Sequence, residues 1–292
     1  MQGTEGYASL AERLGGRLVS VTPLTGGVSA EAALLSLDIA GERRRVLVRT
    51  ASRFTDVGDR REELRRMGRL LAILADAGLP VARPVRVDPG AEDWLVLEYL
   101  EGSTDLPDPA VAMPALARLA LQVHATPVER IADLGLPVAV DPAGEAREIL
   151  ARLLPEVDPD SVIEEPRPRD AAPVLLHGDL WPGNVLWDGG RVVGLIDWED
   201  CALGDPERDL ATARVELTLA LGEEEATEFR SVYDAGAPHT VDQHRVDLWT
   251  VCAAGGMALH VGAWGLPKER EETVRAVALE VLHETLGRLA VR

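Results

Sequence analysis

Three oxygen-bearing side chains fall within a short stretch of the sequence. Asp179 and Asn184 share His177-Gly178-Asp179-Leu180-Trp181-Pro182-Gly183-Asn184-Val185-Leu186, and Asp197 follows in Val193-Gly194-Leu195-Ile196-Asp197-Trp198. Each lies on a polar loop at the end of a short apolar run, which anchors the backbone and lets side chains converge. The set suits magnesium, which takes oxygen ligands and only one or two carboxylates, completing its octahedron with water and phosphate oxygens. Asn184 and Asp197 supply those oxygens. Asp179, on the same tight loop as Asn184, is left to orient an attacking hydroxyl and accept its proton.

The elements that must hold these loops can be read from periodicity. The first hundred residues form a small sheet interrupted by one helix. Segments 17–24, 32–39 and 45–50 are β-like and separated by Thr25-Gly26-Gly27 and Ala40-Gly41, which suit turns. Over 59–77, Leu64, Met67, Leu70, Leu71 and Leu74 recur at helical spacing, and Gly78 and Pro80 close the helix. Segments 84–87 and 94–98 bring the strands to five. A boundary is expected at 98–102, before Pro107 and Pro109. Beyond it come a helix over 111–125, a proline-broken helical insertion over 127–172, and short strands at 174–176, 185–187 and 191–196. Helices run from 207 to the end.

Composition narrows the class. With 46% hydrophobic and 27% charged residues the chain is an ordinary globular protein with enough length for a large core. The net charge of −19 repels phosphate backbones, so no nucleic-acid partner is expected; it tolerates a cationic small substrate and also serves solubility. No apolar run approaches the roughly 18 to 20 residues of a spanning helix, and the first nine residues carry no basic or apolar leader pattern. A cytoplasmic protein without a membrane partner is the expectation. Cys201 and Cys252 lack any metal-ligand or disulfide pattern. Of the 30 basic residues only Lys268 is lysine, so a cation needed elsewhere must be arginine.

The segment His177 to Leu186 resembles the HGDxxxxN catalytic loop of the aminoglycoside phosphotransferase and choline kinase superfamily, relatives of protein kinases. Ile196-Asp197-Trp198 is similar to that family's metal-binding segment, and Gly204-Asp205-Pro206-Glu207-Arg208-Asp209-Leu210-Ala211 to its GDPxxDLA. The resemblance covers nearly the whole chain. It implies a two-lobed α+β, protein-kinase-like fold: a five-stranded antiparallel N-lobe with one helix over 1–97, a hinge at 98–102, and a mainly helical C-lobe over 103–292. It also implies Mg²⁺ and ATP or GTP as phosphate donor, with Asp179 as the catalytic base and Asp209 bracing the catalytic loop. His177 is expected to steady the loop as well.

Further site residues follow from the same resemblance. Gly26 to Glu31 is similar to the phosphate-covering loop, which nominates Gly27 and Ser29. Glu98, Tyr99 and Leu100 match the hinge whose backbone meets the purine. The family often has lysine on the third strand where this chain has Arg49. The family's helix glutamate falls at Met67 by spacing, so Glu63, one turn earlier on the same face, is the expected partner of Arg49. For the acceptor, Trp181, Glu199 and Asp200 are the nearest candidates, with Asp234, Asp242, Asp247 and Glu271 as further contacts and Trp249 and Trp264 as walls. The implied activity is O-phosphorylation of a small-molecule hydroxyl, foremost an aminoglycoside or macrolide antibiotic. A metabolic kinase of choline, a sugar or an amino-sugar-like compound shares every motif, and a nucleotide-binding pseudokinase is the reading from outside the enzymes.

Overall fold

A computed structural model describes residues 4–24, 30–52, 55, 56, 59–86, 94–169 and 171–290. Gly27 and Ser29, nominated for the phosphate-covering loop, lie outside them. The chain forms two compact units, one of Met1–Gly102 with Val193–Glu199 and the other of Ser103–Val192 with Asp200–Arg292. Residues 193–199, expected with the helical region, therefore group with the N-terminal sheet.

The first unit holds α1 (Thr4–Arg13), β1 (Arg17–Leu24), β2 (Ala32–Ile39), β3 (Glu42–Thr50), α2 (Arg60–Asp76), β4 (Pro84–Arg86) and β5 (Trp94–Glu98). The five strands pair antiparallel in the order β1-β2-β3-β5-β4. Ala40 and Gly41 form a two-residue turn with φ of 54° and 87°, and Asp38 Oδ1 accepts the Gly41 N–H. This is the turn whose twist matches paired strands. The β2–β3 ladder therefore closes down to Ile39 opposite Glu42, and β3 begins three residues earlier than the sequence pattern suggests. Alternate β2 residues Leu35 and Leu37 point into a core shared with Val46, Val48, Trp94 and Val96. The sequence reading missed α1, which closes that core with Leu10 and Ala11 while Tyr7 stacks on Trp94. Among the described residues the unit thus has two helices where one was expected.

The second unit contains α3 (Pro109–His124), β6 (Val138–Ala139), α4 (Pro142–Leu153), β7 (Val174–Leu176) and β8 (Val185–Asp188). Then come β9 (Arg191–Leu195), inside which the unit boundary falls, and β10 (Ala202–Gly204). Four helices complete it: α5 (Pro206–Ala220), α6 (Glu223–Gly236), α7 (Gln243–His260) and α8 (Lys268–Ala290). The caps are legible in the sequence. Asp108, Asp141 and Asp242 each accept a first-turn N–H of α3, α4 and α7. β10 runs parallel to β6 and antiparallel to β7; of this three-stranded sheet the sequence pattern marked β7, whereas β6 and β10 are too short for periodicity to detect.

The stretch Gln243–Ala263 is long and apolar enough by composition to cross a membrane, which the sequence reading had not found, and 61% of its window is buried inside the protein. Its apolar residues Leu248, Val251, Ala254 and Ala258 join Ala146, Leu150, Val215, Ala278 and Leu282 in one core. Its charged residues are paired within the fold, Arg245 with Asp205 and Asp247 with Arg288. α7 is the central helix of the unit.

Candidate active site

The loop between β7 and β8 carries Asp179 and Asn184, anchored by fully buried Leu175, Leu176, Leu180 and Val185. Gly178 has φ +86°, and a Cβ there would lie 2.0 Å from the Asp200 carbonyl oxygen. Both the backbone conformation and the close approach require glycine. The loop backbone is held from the first turn of α5. Asp209, with no solvent exposure, accepts the His177 N–H through Oδ2 and the Gly178 N–H through Oδ1, each at 2.8 Å.

A second tier supports Asp209. His124 Nε2 lies 3.0 Å from Asp209 Oδ2, and its Nδ1 lies 2.7 Å from the Tyr233 hydroxyl. Nε2–H donates to the Asp209 carboxylate, and Nδ1 pairs with the Tyr233 hydroxyl. Burial alone would push the Asp209 carboxyl up. The hydrogen bond and charge of His124, together with His177, more than reverse this and hold it below the usual carboxylate range. The neighbouring acids of the same segment are buried and paired as well, Asp205 with Arg245 and Glu207 with Arg169.

Within the loop, His177 Nδ1 accepts the Asp179 N–H at 3.3 Å. Asn184 Nδ2 donates to the Asp179 carbonyl at 2.9 Å and to Asp179 Oδ2 at 2.8 Å. Both partners are acceptors, which fixes the amide orientation and leaves Asn184 Oδ1 to offer to a cation. The donor chemistry thus fits a hard, oxygen-seeking ion such as Mg²⁺. Trp181, nominated for the acceptor, covers its own loop: a Cβ on Gly183 would lie 2.3 Å from the Trp181 ring.

Beside this loop the second unit has a cleft of about 490 Å³. Its walls are Glu145 of α4, Gly178 and Asp200, Arg208, Thr212 and Glu216 of α5, and Trp249 of α7, with Trp264 beyond. Asp200, Trp249 and Trp264, which the sequence reading named for the acceptor, all line this cleft. Asp234, Asp242, Asp247 and Glu271 are engaged elsewhere, with Arg230, the α7 N-terminus, Arg288 and Arg275. Sequence reasoning missed Glu145, Arg208 and Glu216. The signal was present for α5, since Arg208, Thr212 and Glu216 recur every four residues on one helix face. Burial, reinforced by the charge of Asp179, pushes the Glu216 carboxyl up to about 8, and Arg270 opposes it. Burial also raises Glu145, against the pull of Arg208.

The first unit has its own cavity of about 200 Å³, with Ala32, Leu47, Ala82, Leu97 and Leu195 as apolar lining and Met67 and Leu71 contributed by α2. Arg49, Asp197 and Glu199 make its polar end. Asp197 has φ +63°, a left-handed conformation that a non-glycine residue holds only when its surroundings impose it. Arg49 donates to the Glu199 carboxylate, with side chains 13% and 15% exposed.

Two expectations are corrected here. Arg49 is bonded to Glu199 and not to Glu63, whose Oε1 accepts the Ser52 N–H at 3.0 Å and whose Oε2 is buried with no hydrogen-bond partner among the described residues. Glu199, assigned to the acceptor, is the carboxylate on Arg49 instead. Spacing along a helix cannot reveal a partner 150 residues away in sequence. Leu97 of β5 lines the cavity, while Glu98, Tyr99 and Leu100 of the expected hinge do not. The Glu98 N–H is used by the Arg83 carbonyl, and Arg45 sits over the Tyr99 ring.

Comparison with known proteins adds the following. The model of a family described as Phosphotransferase enzyme family matches residues 20–249. An aminoglycoside 3′-phosphotransferase of Streptomyces ribosidificus is 34% identical over 205 residues, 60% of this chain and 74% of that protein. A homoserine kinase of Pseudomonas aeruginosa is 31% identical over 166 residues, 49% of this chain and 50% of that one. Among solved structures, a macrolide 2′-phosphotransferase from Brachybacterium faecium superimposes with a TM-score of 0.66 at 24% identity, covering 94% of this chain and 98% of that one.

Proposed function

Because the chain belongs to the phosphotransferase enzyme family, we propose that it is a cytoplasmic enzyme that transfers the γ-phosphate of ATP or GTP to a hydroxyl of an amino-sugar antibiotic. The observation that carries the reading is the Asn184 amide bridging the Asp179 carbonyl and carboxylate, which orders a proton acceptor and a metal-seeking oxygen on one braced loop.

The roles follow from chemistry. Asp179 accepts a hydrogen bond from the acceptor hydroxyl and takes its proton as the oxygen bonds to the γ-phosphorus. The bond from that phosphorus to the β–γ bridging oxygen breaks, and the nucleoside diphosphate leaves. Arg49 steadies the α- and β-phosphates with its planar donor fork. The apolar lining of Ala32, Leu47, Ala82 and Leu97 takes the faces of the base, whose edge is left to the backbone after β5. Asn184 and Asp197 would hold Mg²⁺, which when bound neutralises charge on the nucleotide phosphates.

The acceptor class is supported by the cleft beside Asp179. Three carboxyl side chains, Glu145, Asp200 and Glu216, face it with Arg208 as counter-charge, and tryptophan provides flat walls. Its volume lies within the usual range for small-molecule sites, roughly 300 to 1,000 Å³. Such a site favours a polyhydroxylated compound carrying amino groups. The similarity to a homoserine kinase supports the second reading, a metabolic kinase of an amino alcohol.

The test is release of nucleoside diphosphate with Mg²⁺ and ATP or GTP across aminoglycosides, macrolides, choline, homoserine and simple sugars. Stimulation by aminoglycosides alone supports the first reading. Stimulation by homoserine or choline alone replaces it with the second, and no stimulated release by any acceptor counts against both.

A further inference from the structure

We infer that Glu199 is the positioning residue that aims Arg49 at the nucleotide, a part the sequence pattern assigned to a glutamate of α2; the inference rests on the kinase reading above. Arg49 is the basic residue that lines the cavity of the first unit, and Glu199 lines the same cavity together with Asp197. The chain's single lysine, Lys268, is on α8 and pairs with Glu272. Among the described residues that line this cavity, the cation for phosphates is therefore this guanidinium.

A free arginine samples many rotamers, and ordering it costs entropy. A carboxylate on one edge of the fork removes that freedom and leaves the other N–H groups to meet phosphate oxygens. At 13% and 15% exposure the pair is shielded enough for its charges to interact more strongly than at an open surface. Glu63 is committed differently, with Oε1 tying the first turn of α2 to the Ser52 N–H just past β3. Its role is local architecture.

Glu199 lies two residues beyond Asp197, and the backbone of Asp197 is held in the left-handed region. One short segment therefore carries both the carboxylate meant for the metal and the one that steadies the phosphate cation. Nothing in the α2 arrangement provides that link.

The experiment is nucleotide binding by titration calorimetry, with steady-state kinetics, on the full chain and on Glu199→Gln, Glu63→Gln, Arg49→Gln and the Arg49→Gln/Glu199→Gln double variant. Glu199→Gln should raise nucleotide Kd and KM by about tenfold, equivalent to one lost charge-assisted contact, with the acceptor KM unchanged. Glu63→Gln should leave nucleotide Kd within about twofold while lowering Tm. Because Glu199 acts through Arg49, the double variant should bind no worse than Arg49→Gln alone. Unchanged or tighter nucleotide binding in Glu199→Gln overturns the inference, as do additive losses in the double variant. A wild type that binds no nucleotide overturns the kinase reading and the inference with it, whereas a wild type that binds normally beside an unaffected Glu199→Gln overturns the inference alone.

Discussion

The catalytic loop of the second unit and the cation of the first are held in opposite ways. The loop's own backbone N–H groups, from His177 and Gly178, are bonded to a carboxylate with no solvent exposure. Arg49 is held by a side-chain contact to Glu199. Backbone donors cannot leave Asp209 unless the loop reorganises, whereas a guanidinium can rotate about several bonds. The loop is therefore set when the chain folds and the cation by a local equilibrium, so damage to the first should read as lost stability and damage to the second as lost affinity.

The largest expected effect separates the chemistry from both. Asp179→Asn should reduce turnover by about a thousandfold or more while nucleotide Kd stays within about twofold and Tm does not fall. Steady-state kinetics beside calorimetry reads this, and near-normal turnover would remove Asp179 from the role of base. Next is Asp209→Ala, which leaves the His177 and Gly178 N–H groups and His124 without their acceptor. It should cost about 3 kcal/mol in urea unfolding. The native contribution of Asp209 also has a pH signature. Its carboxyl lies below the ordinary value of 3.8, so its stabilisation is present above that value and is lost as pH falls through the lowered one. Asp209→Ala should flatten this acid limb, and an unchanged acid limb would mean that the brace contributes little.

Gly178→Ala tests the same loop more gently. The left-handed φ and the contact with the Asp200 carbonyl should together cost about 2 kcal/mol, with turnover falling more than nucleotide affinity. Equal losses in both would blur the distinction between the two regions.

The smallest effect belongs to Glu216. Its carboxyl is raised from 4.5 to about 8, so between those values the folded protein keeps a proton that the unfolded chain has released. Its cost to stability therefore grows as pH rises through that window. Glu216→Gln should match the wild type in Tm below pH 4.5 and exceed it by a few degrees near pH 8. Thermal scans across that range measure the crossover, and a constant difference would mean that Glu216 titrates normally. In the wild type, affinity for a cationic acceptor should rise as pH passes about 8 and the cleft gains this charge.

Sequence alone determined the features that live within one loop or one element. Asp179, Asn184, Asp197 and the Gly204 to Ala211 segment stand out in the sequence because a tight turn and a helix start demand particular residues at close spacing. The two-lobed α+β architecture and the strands β1, β2 and β5 were readable from alternation and turn residues for the same reason. Tertiary structure alone decided what distant segments do to each other. It brought Glu199 to Arg49, left Glu63 with Ser52, gathered Glu145, Arg208 and Glu216 around one cleft, and added the short strands β6 and β10. Local hydrogen bonding and periodicity leave a mark on neighbouring residues. A contact between residues 150 positions apart leaves none in either segment, because it is created by the packing of the elements that carry them.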